Sequence, residues 1–354
     1  MMKLNDRKWR AFNVTDIFDH IQRGKRLKNA DHIPGNWPYV SSSALNNGVA
    51  DWIKPTENSR VFGESISLAN SGSVGTAFYE PFDYVASDHI TSFHLGNGSK
   101  YIYLFMAACL EKQKHNFSFN REVNEARLKR LRIMLPVNDK GQPDYDFMSD
   151  YVDQQKKQLQ SKYVIYAQKK LQMLGTPKPL KTLSELNWGY VRINDIATVK
   201  SGKDIYARER VSGDLPYVTS GTSNNGIGYF VGNDNKSKAD HVISVNRNGA
   251  VGEAFYHPYT ALFGNDCRTL VLNEQYEYAP FFIAAMLRKQ KDAFSYSRKL
   301  GTARLKVLRS MLPVESDGKP DYDYMEQYVK NKMIQKYNHY LKYLNASVIG
   351  SNKL

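Results

Sequence analysis

Apolar and polar positions along the chain follow two periods, and the same succession of periods occurs twice. ESISLAN at 64–70 and DHVISVNR at 240–247 alternate as half-buried strands do. A second strand is expected directly after each, in SVGTAFY and AVGEAFY, with an Asn/Ser/Gly turn between. Gly72 and Gly249 supply the backbone freedom that such a hairpin turn needs, and the Phe-Tyr pairs supply core area. YLFMAACLEKQK and PFFIAAMLRKQK are apolar on one helical face, and a basic polar loop follows each (NFSFNREVN, AFSYSRKLGT). A short helix is expected next, in EARLKRL and ARLKVL, with Thr302 as an N-cap. IMLPV and SMLPV then read as buried strands, and VTDIFDHIQRG and INDIATVKSG as a short helix or turn opening each copy.

The end of each copy has a different character. The stretch 143–174 contains no Gly or Pro after its first residue, and its acids come early and its lysines late, as the helix dipole favours. Met148, Tyr151, Val152, Leu159, Tyr163, Tyr166 and Leu171 form one stripe at three- and four-residue steps. Met325, Tyr328, Val329, Met333, Tyr337, Tyr340, Leu341 and Leu344 form its counterpart in 320–350. Single helices of about 27 residues exceed the usual mean of about 11–12. Two such stripes predict an antiparallel pair of helices packed as a coiled coil, with the remaining apolar surface left to a partner.

The repetition covers the whole chain. PYVSSSALNNG answers to PYVTSGTSNNG, SGSVGTAFYEP to NGAVGEAFYHP, and LKRLRIMLPV to LKVLRSMLPV. One complete domain is therefore duplicated, because two units of this size are not a solenoid of short repeats. The fold expected is α+β: mixed α/β domains at 1–142 and 188–319, long helices at 143–174 and 320–350, and a linker at 175–187.

Composition agrees with two cores. The 354 residues are 42% hydrophobic and 24% charged. No apolar run is long enough to span a membrane, and MMKLNDRKWRAF has no apolar segment of a secretory signal, so a cytoplasmic protein is expected. Cys109 and Cys267 are the only cysteines and have neither disulfide-framework nor zinc spacing. The net charge of +14 points to a polyanion, nucleic acid above all.

Catalytic motifs are missing. GSVG and GAVG lack the GK[ST] of a phosphate loop, no GxGxxG occurs, and no Asn/Asp-Pro-Pro-aromatic motif of an amino-methyltransferase is present. The histidines form neither HxH nor HExxH, so no metal site is expected. Asp88-His89 suggests acid–base chemistry, but the second copy places Asp266-Cys267 against it, which favours a turn-orienting role for the two aspartates.

Both copies share a class of polar loop residue instead. Ser42, Asn46 and Asn47 face Ser220, Asn224 and Asn225, and Asn70 and Ser71 face Arg247 and Asn248. Arg121, Asn124 and Arg127 stand in the first basic loop, and Arg298, Lys299, Thr302 and Arg304 in the second. The divergent loops near each start carry Lys25 and Arg26 against Lys203 and Arg208. Asn, Ser and Arg read base edges and hold phosphates, so these residues are the candidate DNA contacts.

A duplicated globular domain with one long helix after each copy, the whole basic, resembles the specificity subunits of type I and type IIB restriction–modification systems. The resemblance implies two target-recognition domains, each reading one half of a split double-stranded DNA site. It implies that the paired helices space those domains and dock DNA methyltransferase subunits, through Met148, Tyr151, Val152, Leu159, Tyr163 and Tyr166 and through Met325, Tyr328, Val329, Tyr337, Tyr340 and Leu344. It implies that S-adenosylmethionine and catalysis belong to the partners, with cleavage by fused or separate nuclease subunits, and no cofactor or catalysis in this chain. The long helices look shorter than those of large type I subunits, which favours a compact, type IIB-like system. The rival expectation is a two-domain RNA-binding or scaffold protein, with the aromatics of SVGTAFY stacking on bases.

Overall fold

The computed structural model describes residues 1–118 and 120–351, without the side chains of 347–351; Phe119 of the first basic loop lies outside the described residues. The chain divides into two units, Met1–Tyr163 and Val164–Leu354.

In the first unit the order is β1 (Lys8–Asn13), α1 (Val14–Ile17), β2 (His20–Arg23), β3 (Pro34–Val40), β4 (Val49–Ile53), β5 (Val61–Phe62), β6 (Ser65–Ala69), β7 (Ala77–Glu80), β8 (Tyr84–Ala86) and β9 (Ile90–His94). Then come α2 (Lys100–Glu111), α3 (Glu125–Leu128), β10 (Arg132–Val137) and α4 (Tyr145–Leu174). One four-stranded antiparallel sheet has the order β2-β9-β6-β7; a second, β4-β3-β8-β5, contains one parallel pair, β3 with β8. β1 and β10 form a separate antiparallel pair, Trp9 opposite Pro136.

The apolar face of α2 covers the first sheet: Tyr103, Met106 and Leu110 pack with Ile66, Leu68 and Phe93. β6 differs from the half-buried strand its alternation predicts, since all five of its residues are buried. Its other face is polar but paired. Ser65 Oγ lies 3.1 Å from Tyr84 OH, Ser92 donates to Ser65 at 2.9 Å, and Ser67 donates to Glu80 at 2.8 Å. Two sheets thus share a core whose polar layer is hydrogen-bonded inward, as buried hydroxyls require. β10 differs in the other direction: Arg132 and Met134 are exposed, and only Ile133, Leu135 and Pro136 are buried.

The second unit repeats the plan after the end of α4. It holds β11 (Trp188–Arg192), α5 (Ile193–Ile196), β12 (Ala197–Ser201), β13 (Ser212–Val218), β14 (Ile227–Val231), β15 (Val242–Asn246), β16 (Ala254–His257), β17 (Leu262–Phe263) and β18 (Cys267–Leu272). α6 (Ala279–Arg288), α7 (Thr302–Val307), β19 (Arg309–Pro313) and α8 (Tyr322–Ser351) complete it. The sheets β12-β18-β15-β16 and β14-β13-β17 and the pair β11-β19 correspond to those of the first unit. The entry turns correspond as well: Trp9 Nε1 donates to Leu4 O at 2.7 Å and Trp188 Nε1 to Leu183 O at 2.9 Å.

The apolar stripes of the long helices divide their work differently from the sequence expectation. Met148 and Met325 are fully buried in the cores of their own units, with Tyr151, Val152, Tyr328 and Val329 packed beside them. The two methionines are thereby removed from any partner surface. In the second unit the end of α4 packs on α8: Leu171 and Leu174 lie with Val329, Met333, Ile334 and Tyr337, and the rings of Tyr166 and Tyr337 are 6.2 Å apart. Ala167 is buried there at 0% exposure, whereas Leu159 is 70% exposed. The linker is tied to α8 rather than loose: Asn331 Nδ2 donates to Lys178 O at 2.7 Å and Tyr324 OH to Lys181 O at 2.9 Å.

Candidate nucleic-acid interface

Four loop segments of the first unit meet at one end of its sheets. The turn after β3 closes on itself, Ser41 N donating to Gly48 O at 2.9 Å. Asn46 and Asn47, both at φ 51°, make that turn possible, because asparagine tolerates the left-handed region better than other side-chain residues. Asn224 and Asn225 do the same at φ 50° and 53°. All four asparagines are exposed.

The hairpin loop after β6 docks on this turn. Ser73 N donates to Ser42 O at 3.1 Å, and a Cβ on Gly72 would stand 2.6 Å from Ser42 Oγ. Gly249 meets Ser220 Oγ at the same 2.6 Å, so close approach and positive φ both demand glycine at this place. The segment before β9 joins through Asn70 N, which donates to His89 O at 2.7 Å, and the basic loop joins through Val123 N, which donates to Asn70 O at 3.0 Å. Asn70 and Ser71 are buried. The Asn70 amide oxygen accepts from Thr91 Oγ1 at 2.6 Å, and Ser71 Oγ lies 2.5 Å from His89 Nδ1. These two residues hold the loops together, and the exposed His89 is what they present.

The second unit uses the same frame with other side chains. Ala250 N donates to Ser220 O at 3.3 Å, and Arg247 N to Asp266 O at 2.8 Å. The Arg247 guanidinium also reaches the Asp266 carboxylate at 3.1 Å. These backbone bonds fix the register: Asp266 stands where His89 stands, and not where Asp88 does. Asp88-His89 therefore has no aspartate counterpart of the kind the sequence comparison assumed. Arg268 takes the place of Thr91 and donates from Nε to Thr302 Oγ1 at 2.7 Å. Thr302 is thus the first residue of α7, behind a Gly301 N-cap, and its hydroxyl serves Arg268 instead of capping the helix.

The basic loops carry one further pair. Arg127 donates to Glu122 O at 2.6 Å, and Arg304 makes the equivalent bond to Lys299 O. Both brace the loop from within, while Arg121, Arg298 and Asn124 are exposed, Asn124 also capping α3 by accepting from Arg127 N at 2.9 Å. Lys299 lies over the Tyr296 ring at 4.3 Å. Lys25, Arg26, Lys203 and Arg208 are exposed, and Lys25 N is bonded to Ala86 O beside the cluster. Asn248 is half-buried near Arg247. Of the two aromatics offered for base stacking, Tyr79 is buried and stacked on Tyr103 at 5.1 Å, while Phe78 is half-buried.

Sequence reasoning missed a cleft beside the cluster in the first unit, of about 830 Å³, lined by Arg26, Lys28, Ser41, Asp51 and His89 among others. His32 reaches Asp51 across it, Nδ1 to Oδ2 at 2.7 Å, and this hydrogen bond holds the Asp51 carboxyl below the usual range. The two residues are far apart in sequence, and only the pairing of β3 with β4 brings them together. Among the described residues there is no group of three or more His, Cys, Asp or Glu that could hold a metal ion, and no helix is long and apolar enough to cross a membrane.

Comparison with known proteins assigns this frame. The model of the type I restriction modification DNA specificity domain matches residues 6–162 and again 185–342. The chain is 27% identical over 346 residues to the type II restriction enzyme BgcI specificity subunit S.BcgI of Heyndrickxia coagulans, covering 92% of this chain and 96% of that protein. The crystal structure of the type I restriction–modification system S subunit from M. genitalium has the same fold, with a TM-score of 0.52 at 18% identity, covering 99% of this chain and 96% of that one. This chain belongs to the type I restriction–modification DNA specificity family, with two recognition domains, and is a specificity subunit of a restriction–modification system.

Proposed function

We propose that each unit reads one half of a bipartite duplex DNA target, and that the chain itself performs no catalysis. The observation that carries this is the pair of loop clusters, built on one frame and faced with different side chains: His89 in one, Arg247 and Asp266 in the other. Two readers of the same shape with different faces suit two different half-sites. The charge of +14 supplies the attraction to phosphate.

The long helices space the readers and dock methyltransferase subunits, which carry S-adenosylmethionine and the transfer chemistry; nuclease subunits, joined or fused, belong to the same complex. Exposed apolar side chains on these helices support docking: Leu159, Ile165, Tyr166 and Met173 on α4, Tyr340 and Tyr343 on α8. The opposed numbering of contacts at the end of α4 supports an antiparallel coiled coil. The resemblance to S.BcgI, named as part of a type II enzyme, favours a compact system of the type IIB kind acting in the cytoplasm.

The test is binding of the full chain, alone and with its methyltransferase, to duplex DNA and to RNA of matched length. Duplex preference, affinity falling steeply with salt and tighter binding in the complex are expected. Equal affinity for RNA, or no complex with a methyltransferase, would overturn the reading.

A further inference from the structure

Tyr39 and Tyr217 are both buried, at equivalent places on β3 and β13. Their strand partners are Asp51 and Tyr229. Over Tyr39 lies the His32 ring, with centroids 4.6 Å apart, and His32 binds Asp51. Over Tyr217 lies the Arg210 guanidinium at 5.7 Å, and it stacks on Tyr229 at 3.7 Å. One buried tyrosine thus carries a His–Asp pair in the first unit and an Arg–Tyr pair in the second.

Packing does not force this change. The frame beneath is the same in both units, and the outer members face solvent: the Asp51 side chain is 50% exposed and Tyr229 is 47% exposed. Both members of the pair differ together, a histidine–carboxylate hydrogen bond in one unit and a cation–aromatic contact in the other, so each arrangement offers a different surface. What differs is the chemistry held out. In the first unit the His32 contact fixes Asp51 as an ionised acceptor, and His32 Nε2 is buried with no partner among the described residues. In the second, Arg210 Nε is tied to Ile205 O at 3.1 Å, which leaves its terminal nitrogens directed as a fork. The cleft that Asp51 lines is also lined by Arg26 and Lys28, as a site beside a phosphate backbone would be.

Resting on the reading of each unit as a half-site reader, we propose that His32–Asp51 and Arg210–Tyr229 determine base identity in the two half-sites. The Asp51 carboxylate accepts from an exocyclic amine, so the first half-site has a cytosine or adenine there. Arg210 donates to the N7 and O6 edge, so the second half-site has a guanine.

The experiment uses the full chain with its partner methyltransferase and DNA libraries randomised within each half-site. Three variants are compared with wild type: H32R/D51Y, which gives the first unit the second unit's pair; the reverse, R210H/Y229D; and D51N, a change at a half-exposed side chain that preserves shape if the double variants fail to fold. H32R/D51Y should shift the preferred base at one or two positions of the first half-site by roughly 5- to 150-fold, leaving the second half-site and the gap unaltered. D51N should relax the same position, and R210H/Y229D should remove a guanine from the second half-site. Unchanged base preferences in D51N and the folded double variants, or a change in the opposite half-site, would overturn the proposal while leaving the two-reader function standing. Absence of any sequence preference in wild type would overturn that function instead.

Discussion

Ser67 donates to Glu80 across 2.8 Å in the first unit, and at the same place in the second Ser244 meets His257 across 2.8 Å. Each pair is buried in the polar layer of its sheet, and burial acts on the two partners in opposite senses. It pushes the Glu80 carboxyl up to about 7 and the His257 imidazole down to about 4. Glu80 therefore contributes its full share of the first unit's stability below the usual glutamate range, and that share is lost as pH rises toward 7, where the folded state must ionise a buried carboxyl. His257 contributes its full share of the second unit's stability above the usual histidine range, and that share is lost as pH falls toward 4, where the unfolded chain takes a proton that the folded one refuses. Thermal unfolding followed across this range should show the two units weakening at opposite ends. E80Q should raise the melting temperature of the first transition at pH 8 and leave it nearly unchanged at pH 5. Parallel pH profiles for both transitions would contradict the assignment.

Met148 and Leu159 stand on the same helix, and only Met148 is in a core. M148A should cost about 2–5 kcal/mol of stability in the first unit, as other core Met truncations do, and M325A should cost the same in the second. L159A should change stability by less than about 0.5 kcal/mol and instead weaken co-purification with the methyltransferase. Denaturant unfolding and a pull-down separate the two effects.

Arg298 is exposed and Arg304 braces its loop. R298A should weaken binding to all sequences alike and reduce the salt slope by about 1, as loss of one phosphate contact does. R304A should loosen the loop and reduce selectivity at the second half-site. Salt-dependent binding and library methylation read these apart.

The duplication, the helix order and the glycine turns were legible because repeated phrases mark the frame directly. Gly72 and Gly249 return together since both meet a serine hydroxyl. The sites were legible only as regions. Asn70 and Ser71 have the composition of base readers, yet their side chains are spent on Thr91 and His89. Thr302 looks like a cap because its sequence neighbours say so, and Arg268, which claims its hydroxyl, lies on β18, distant in sequence. The His32–Asp51 contact depends on strand pairing, and the match of His89 with Asp266 rests on equivalent backbone bonds, which residue types alone do not reveal.

α4 and α8 are each 30 residues long, about 45 Å of helix. Duplex DNA rises about 3.4 Å per base pair, so readers spaced by the full helix length would lie about 13 base pairs apart centre to centre. Half-sites of about four base pairs then leave a gap of at most about nine. One heptad inserted into each helix, after Gln158 and after Lys336, should lengthen the gap by about three base pairs without changing either half-site. Half-sites that change while the gap stays fixed would show that the helices are not the ruler.

The most direct test of the two-reader account is the methylated sequence itself, mapped across the genome of a host with and without this gene and its methyltransferase. The account predicts a gene-dependent target of two short, different half-sites separated by a fixed stretch of unspecified bases. A continuous target, two identical half-sites, or a methylation pattern that does not depend on the gene would contradict it.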